Sequence, residues 1–211
     1  MKLYLIRHGE SVGNTKNIIQ GQTDYPLSSL GQEQAKQLAN YFKNIHLDSI
    51  YSSGLRRAYI TAQTLADEKG MSVQEWEHIR EIHLGPFQGK TRAEIEAMFP
   101  VMKERPLLTS GIEGTETVEA ITRRCAIVCE QLKHEHEHDS VAIVSHGGFI
   151  GIFMMYMMFG DEWHTFHRPF HIGNTGVTLV NWQSMKKPMF EYINSTTHLE
   201  IAALQAKPLS T

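Results

Sequence analysis

Cysteine is scarce in this sequence, with only Cys125 and Cys129 among 211 residues. Their spacing matches neither the Cys-x-x-Cys of redox and zinc sites nor a disulfide framework, so the two cysteines point to neither a disulfide-stapled scaffold nor a cysteine-ligated zinc site. Four residues apart, the two side chains share one face of a helix, and we expect them to pack there as small apolar groups. Unpaired thiols, and a first strand that leaves no room for a leader, favour a cytoplasmic location.

The sequence also has no excess of charge of one sign. Lys and Arg number 20 and Asp and Glu number 23, for a formal net charge of −3. A protein with this balance does not grip nucleic acid or an anionic membrane by bulk charge, so we expect neither as a partner. A local cluster of cationic side chains remains compatible with it.

Long apolar runs are missing as well. The longest apolar stretch, residues 141–160, is interrupted by Ser145-His146-Gly147-Gly148. Neither half is long enough to cross a membrane, and the pattern predicts a buried strand, a polar turn and a buried helix. The sequence has no glycine-rich loop of the P-loop type, which argues against a P-loop nucleotide-binding enzyme.

Apolar runs of strand length alternate with runs of helical period. The predicted strands are residues 2–6, 48–53, 73–78, 140–144, 176–182 and 189–193. The predicted helices start after Ser28 or Ser29, cover 55–69, 91–99 and 148–159, and include a long helix capped by Thr115, with Glu116 and Glu119 in its first turn. This order predicts an α/β fold, a three-layer α/β/α sandwich with a mostly parallel central sheet, in a single domain over residues 1–211. Residues 203–211 are expected to be a loose tail and Lys186-Lys187 a hairpin turn.

One segment interrupts the alternation of strands and helices. Residues 83–114 contain four glycines and three prolines, which predicts a lid or insertion outside the sheet.

Two predicted strands end alike, in Arg7-His8-Gly9 and in Ser145-His146-Gly147-Gly148. Ligands of open α/β sheets bind beyond the carboxyl ends of the strands, so we expect both histidines in one crevice. The glycines allow close approach of backbone to a bound group, and a helix that begins at Gly147 favours an anion. Arg7 and Arg57 add positive charge in a geometry suited to phosphate.

Five motifs, in chain order, resemble those of the histidine phosphatase superfamily, also called phosphoglycerate mutase-like. They are Arg7-His8-Gly9-Glu10-Ser11 with Asn14; Gly21, Asp24 and Pro26-Leu27-Ser28; Ser53, Leu55 and Arg57-Ala58; Arg80-Glu81 with Gly85 and Gly89; and Ser145-His146-Gly147-Gly148, preceded by Gly114 and Glu116. The resemblance covers nearly the whole chain. It implies phosphoryl chemistry on small phosphorylated metabolites, with no cofactor.

The resemblance also implies roles for individual residues. His8, as a neutral imidazole, would attack phosphorus and form a phosphohistidine. Glu81 would protonate the leaving oxygen and then activate water. The phosphoryl oxygens would be surrounded by Arg7, Arg57 and His146, which offset the developing charge.

Further phosphate contacts are implied by position for Asn14, Gln22 and Gly147. No metal is expected, because two arginines and a histidine supply the positive charge. The run from His134 to His138 is predicted to be a solvated turn at a helix end rather than a metal site.

The family contains both mutases and phosphatases. Its mutases carry a paired-arginine segment between the acid and the second histidine, whereas here Arg105-Pro106 is the nearest approach to it. The short form resembles the phosphatase branch, so we expect a metal-independent phosphomonoesterase acting on a small molecule, with a homo-oligomer also compatible. A cofactor-dependent phosphoglycerate mutase and a non-catalytic phospho-ligand binder remain open as alternatives.

The residues expected around the crevice of the two histidines predict which substrates the protein prefers. Residues 83–114 and the run Phe166-His167-Arg168-Pro169-Phe170 are predicted to form the rim of this crevice. The apolar candidates in the first segment are Phe87, Met98, Met102, Leu107 and Leu108, of which about half should face the substrate. An apolar rim would favour aryl or other bulky leaving groups over small sugar acids.

Overall fold

The computed structural model describes residues 1–183 and 187–205. Its strands are β1 Lys2–Arg7, β2 Ile18–Ile19, β3 Ser49–Ser52, β4 Val73–Glu75, β5 Lys90–Thr91, β6 Ser140–Ser145, β7 Val177–Asn181 and β8 Met189–Ser195. Its α-helices are α1 Val12–Thr15, α2 Ser29–Phe42, α3 Arg56–Lys69, α4 Arg92–Met98, α5 Val118–Glu135, α6 Gly147–Phe159 and α7 Thr197–Gln205. Short 3₁₀ helices are Glu77–Ile79, Gly85–Phe87, Pro100–Lys103, Leu107–Thr109 and Gly160–Thr165.

The central sheet is mixed but mostly parallel. Its six strands are ordered β4-β3-β6-β1-β7-β8. β4, β3, β6 and β1 run parallel, whereas β7 pairs antiparallel with β1 and β8 pairs antiparallel with β7 at the edge. The predicted mostly parallel sheet is therefore confirmed.

Helices cover both faces of this sheet. Along β1, Leu3 and Leu5 belong to one buried cluster, and Tyr4 and Ile6 belong to the other, as the two-residue period of a strand requires. The first cluster includes the buried faces of α5 and α6, and the second includes those of α2 and α3. The three-layer α/β/α architecture follows. Cys125 and Cys129 are buried in the first cluster as free thiols, in the packing role expected for them.

Residues 83–114 contribute no strand to the central sheet. Within the segment, β5 pairs antiparallel with β2 as a separate two-stranded ribbon. Thr91 caps α4 in a capping box with Glu94. Phe87 and Met102 are completely buried and join the core cluster on the α5 and α6 side. Two of the five apolar rim candidates therefore pack in the core, in line with the expectation that only about half of the five face the substrate.

The start of the long helix differs from the prediction. Thr117, not Thr115, caps α5, with its hydroxyl accepting from the Ala120 amide. The Thr115 hydroxyl donates to the Ile112 carbonyl, in the turn before the helix. Glu116 consequently lies outside the first helical turn, and its carboxylate pairs with Arg124 at 2.8 Å. Glu119 does lie in the first turn, as predicted.

The predicted solvated turn at residues 134–138 is only partly correct. His136 is buried, with Nε2 at 2.9 Å from the Tyr51 hydroxyl and Nδ1 at 2.8 Å from Asp139. Its neighbours at 134, 135, 137 and 138 are exposed. Of the histidines in this run, only His136 is buried and hydrogen-bonded within the core, close to the residue that precedes β6.

The end of the chain also differs in part. Residues 203–205, expected in a loose tail, belong to α7. The rest of that tail, and Lys186 of the expected hairpin turn, lie outside the described residues. Within the part of the chain that the structure describes, none of the helices has the length and apolar character needed to cross a membrane.

Candidate active site

The two motif histidines emerge side by side from the sheet. β1 and β6 are parallel neighbours in which Arg7 lies opposite Ser145, so the next residues, His8 and His146, follow at the same edge. The His8 amide donates to the Ser145 carbonyl at 3.0 Å. The imidazole centroids are 5.1 Å apart, as expected for strand ends that form one crevice.

His8 is held as a neutral ring with one nitrogen free. Only 3% of the residue is exposed, and its Nδ1 lies 2.6 Å from the Gly9 carbonyl oxygen. Because a carbonyl can only accept, Nδ1 carries the proton and the lone pair of the neutral ring lies on Nε2. Burial, and then the charges of Arg7 and Arg57, lower the pKa of His8 well below its usual value. The free Nε2 is therefore unprotonated at neutral pH.

His146 is oriented by a side chain from the neighbouring strand. Its Nε2 lies 2.6 Å from the hydroxyl of Ser53, which directly follows β3. Its other nitrogen, Nδ1, is buried and has no hydrogen-bond partner in the described structure. Burial, followed by the charge of Arg57, lowers the pKa of His146 well below its usual value. His146 thus presents one unused polar atom next to His8.

Two buried arginines are anchored by backbone carbonyls. Arg57, 1% exposed in the first turn of α3, donates to the carbonyls of Gly21 at 2.7 Å and Thr23 at 2.8 Å. Arg7 donates to the Ile172 carbonyl at 2.6 Å. The Nε atoms of both arginines are buried without a partner among residues 1–183 and 187–205. Burial lowers the pKa of Arg57 to about 10, which leaves it cationic at neutral pH.

Glu81 binds the N-terminus of α6. Its carboxylate accepts from the amides of Phe149 at 2.8 Å and Gly148 at 3.1 Å, and from its neighbour Ile82 at 3.0 Å. A Cβ on Gly148 would lie 2.5 Å from the Glu81 carboxylate, so this approach requires glycine. The helix N-terminus that was expected to face the bound anion is thus engaged by a protein carboxylate.

The predicted supplementary contacts divide into two groups. Asn14 and Gly147 line the same cavity as the two arginines. The Asn14 carbonyl oxygen accepts from the Ser11 amide and hydroxyl at the start of α1, which leaves its amide group as the part available to a ligand. Gln22 is turned away from this wall, because its Nε2 donates to the Glu81 carbonyl at 2.9 Å. Gln22 therefore touches the backbone of Glu81 rather than the cavity.

The cavity itself has a volume of about 330 Å³ and is lined by both cationic and apolar side chains. Its cationic wall includes Arg7, Arg57 and also Arg168, which was not singled out from the sequence. Leu107 and Leu108 reach it, whereas Met98, another expected rim residue, lies elsewhere and is 54% exposed. Arg168 was part of the predicted rim run, but nothing in its local pattern distinguishes a cavity wall from exposed loop.

Two unpartnered buried polar atoms, Nε of Arg7 and Nε of Arg57, belong to residues that line this cavity, and a third, Nδ1 of His146, belongs to the ring beside His8, which also lines it. Buried polar atoms in folded proteins nearly always have partners, so such atoms mark where a ligand binds. Two cationic donors beside a neutral nucleophilic nitrogen fit a tetrahedral oxyanion such as a phosphoryl group. The fold and site together define an α/β protein with a cationic crevice at the carboxyl ends of its parallel strands.

Comparison with known proteins identifies the family. The model of the histidine phosphatase superfamily (branch 1) matches residues 3–195, so the chain belongs to this superfamily. It is 35% identical over 150 residues to phosphoserine phosphatase 1 of Hydrogenobacter thermophilus, covering 69% of this chain and 71% of that protein. It is 30% identical over 155 residues to phosphoglycerate mutase-like protein 4 of Arabidopsis thaliana, covering 71% and 67%.

A solved structure adds a relative with a bound ligand. The phosphoserine phosphatase of Entamoeba histolytica in complex with 3-phosphoglyceric acid superposes with a TM-score of 0.79. Its sequence is 32% identical, and the match covers 94% of this chain and 98% of that chain. The fold expected from the resemblance is therefore confirmed.

Proposed function

We propose that this protein is a phosphatase that hydrolyses small phosphomonoesters through a phosphohistidine on His8, without a metal ion. The observation that carries the proposal is the buried, neutral imidazole of His8 with its Nε2 free, beside the unpartnered Nε atoms of Arg7 and Arg57. The names of the relatives support phosphatase activity.

In the first step, the Nε2 lone pair of His8 attacks phosphorus while the bond from phosphorus to the ester oxygen breaks. Arg7, Arg57 and His146 stabilise the negative charge on the three equatorial oxygens. Glu81, in its protonated form, gives its proton to the departing alkoxide. The products of this step are an alcohol and a phosphohistidine enzyme.

In the second step, Glu81, now a carboxylate, takes a proton from water as the water oxygen attacks the phosphohistidine phosphorus. The bond from phosphorus to Nε2 breaks, and the electron pair returns to the imidazole of His8. Inorganic phosphate leaves, and Glu81 is protonated again for the next cycle.

The mutase alternative differs only in the acceptor of the phosphoryl group. A phosphoglycerate mutase-like relative favours it. In that reaction the phosphohistidine would return its phosphoryl group to a second hydroxyl of the bound product instead of to water. A non-catalytic binder would have no use for a free Nε2 at His8 next to a carboxyl group at Glu81.

The assignment is tested with purified protein and a panel of phosphomonoesters, including O-phosphoserine, 3-phosphoglycerate, glycerol 3-phosphate and p-nitrophenyl phosphate. We expect release of inorganic phosphate from at least one alkyl ester. Assays with 3-phosphoglycerate, with and without added bisphosphoglycerate, also follow the formation of 2-phosphoglycerate. Isomerisation faster than phosphate release would favour the mutase, and no turnover of any ester would favour the binder.

Metal independence is a separate expectation. Because two guanidinium groups supply the positive charge, phosphatase activity should survive treatment with EDTA followed by dialysis, changing by less than about twofold. No cluster of three metal-ligating side chains occurs within the part of the chain that the structure describes. Loss of activity that is restored by Mg²⁺, Mn²⁺ or Zn²⁺ would contradict the proposed mechanism.

Three further points belong to the proposal. Residues 83–114 act as a lid, supported by the cavity contacts of Leu107 and Leu108. The chain forms a single domain over residues 1–211, supported by core clusters that span elements from both ends of the described sequence. The location is cytoplasmic, supported by the two free cysteines.

A further inference from the structure

Arg168 stands at the edge of the catalytic cavity, beyond the phosphate-binding atoms. It lines that cavity together with Leu107, Leu108 and Phe170. It also lines an adjoining, more apolar cavity of about 290 Å³. Four residues further along the chain, the carbonyl of Ile172 accepts a hydrogen bond from Arg7, one of the two arginines beside His8. Arg168 therefore lies at the boundary between the catalytic cavity and the second cavity.

The guanidinium of Arg168 is uncommitted compared with those of the other two cavity arginines. Arg7 and Arg57 donate to carbonyls at 2.6 to 2.8 Å. Arg168 has one long contact of 3.5 Å, to the Gly148 carbonyl, and forms no ion pair with any residue that the structure describes. Glu81 attracts it electrostatically but does not pair with it. Most of its planar set of donors is thus available to a ligand.

The reacting phosphoryl group has three other candidate partners, because buried atoms of Arg7, Arg57 and His146 have no hydrogen-bond partner. Arg168, with Leu107 and Leu108, also lines the second cavity, which Arg7, Arg57 and His146 do not line, so it lies on the side of the catalytic cavity that is left for the leaving group. A single guanidinium flanked by apolar side chains suits a group of one negative charge and planar shape, which is a carboxylate. A second phosphate, with about two negative charges, would call for further cations.

We propose that Arg168 determines specificity by binding a carboxylate carried by the leaving group, so that the preferred substrates are phosphate esters of small hydroxy or amino acids. The proposal rests on the proposed phosphatase function. It revises the expectation of an apolar rim, because the segment that supplies Phe170 also supplies a free cation. In the Entamoeba histolytica structure, a relative holds 3-phosphoglyceric acid, a ligand of this chemical class.

The test uses two esters that differ only in the carboxylate region, 3-phosphoglycerate and glycerol 3-phosphate. Both release a primary alkoxide, so the chemical step makes similar demands. Wild type should have the higher kcat/KM for 3-phosphoglycerate. Arg168→Gln should lower that value by roughly 10- to 100-fold, mainly through KM, and should change kcat/KM for glycerol 3-phosphate by less than about threefold.

Two further variants separate recognition from general charge. Arg168→Lys keeps the charge but not the planar fork, so it should recover part of the preference for 3-phosphoglycerate. Arg123→Gln removes an exposed arginine on α5, away from both cavities, and should leave both esters unaffected. A loss in Arg123→Gln as large as that in Arg168→Gln would reduce the effect to bulk electrostatic attraction and overturn the proposal.

The outcomes also distinguish this inference from the proposed function. Equal losses on both esters in Arg168→Gln would mean that Arg168 acts on a feature common to both, the phosphoryl group or Glu81, and the specificity proposal would be wrong. Wild-type enzyme that hydrolyses glycerol 3-phosphate as well as 3-phosphoglycerate would refute the inference while leaving the phosphatase assignment intact. Wild-type enzyme that hydrolyses no phosphomonoester would refute the proposed function itself.

Discussion

Replacement of His8 by alanine is expected to lower phosphatase activity by on the order of 10⁴-fold or more, because it removes the atom that attacks phosphorus in the proposed mechanism. Steady-state hydrolysis of p-nitrophenyl phosphate measures the loss, and circular dichroism checks that the variant is folded. His46→Ala is the matched control, since His46 is exposed and contacts Asp48 on the surface. This control should retain wild-type activity.

The intermediate itself can be located. Rapid quenching with a phosphorylated substrate should trap an acid-labile phosphoryl group, which mass spectrometry should assign to the peptide that contains His8. His146 is the informative alternative, because its ring lies 5.1 Å from that of His8. A label on His146 would reverse the assigned roles of the two histidines.

The lowered pKa of His8 also predicts how kcat/KM depends on pH. Burial and the charges of Arg7 and Arg57 stabilise the neutral ring, so Nε2 stays unprotonated at a pH below the usual histidine value of about 6.5. Once corrected for ionisation of the substrate, the acid limb of kcat/KM that belongs to His8 should therefore lie well below pH 6.5. A limb at pH 6.5 or above would indicate that the ring is not desolvated as the structure has it.

Glu81→Gln is expected to affect substrates according to their leaving groups. An alkoxide needs a proton as it departs, so the phosphorylation step with an alkyl phosphate should slow by roughly 10²- to 10⁴-fold. p-Nitrophenolate leaves without protonation, and the same step should slow by less than about tenfold. Single-turnover kinetics are required, because in the proposed mechanism the later hydrolysis of the phosphohistidine is common to both substrates and also uses Glu81.

Glu77→Gln provides the control for this experiment. Glu77 lies in the same stretch of sequence, but its side chain is 82% exposed and pairs loosely with Arg80. It should behave as wild type with both substrates. If Glu81→Gln slows the alkyl and aryl phosphates equally in the phosphorylation step, Glu81 is not the acid, and Glu75 becomes the next residue to examine.

Much of the fold was predictable because the relevant signals are local. The two-residue period of β1 and the Ser28 cap of α2 each lie within a few residues of the structure that they specify. The pairing of His8 and His146 across 138 positions also followed from the sequence, since parallel strands of one sheet end at the same edge. Sequence alone was therefore sufficient for the architecture and for the centre of the candidate site.

Two predictions were wrong because the deciding contacts lie outside the local sequence. Thr115 and Thr117 are equally good helix caps by composition, and the choice between them depends on the turn that ends at Ile112. His136 lies in an otherwise polar run, and it is buried only because Tyr51 and Asp139 approach it from β3 and from the start of β6. Neither partner is recognisable from the sequence around the histidine.

The amino-acid sequence by itself determined the α/β order, the sheet edge that carries the site and the residue types that meet there, because these depend on periodicity and short motifs. Only the tertiary structure decided which polar atoms remain free. It assigned Gln22 to the Glu81 backbone, the α6 N-terminus to the Glu81 carboxylate, and an uncommitted guanidinium to Arg168. The physical reason is that a donor already bonded to a distant segment is not available to a ligand. Whether such a bond forms depends on distances in the folded chain, which no local sequence pattern encodes.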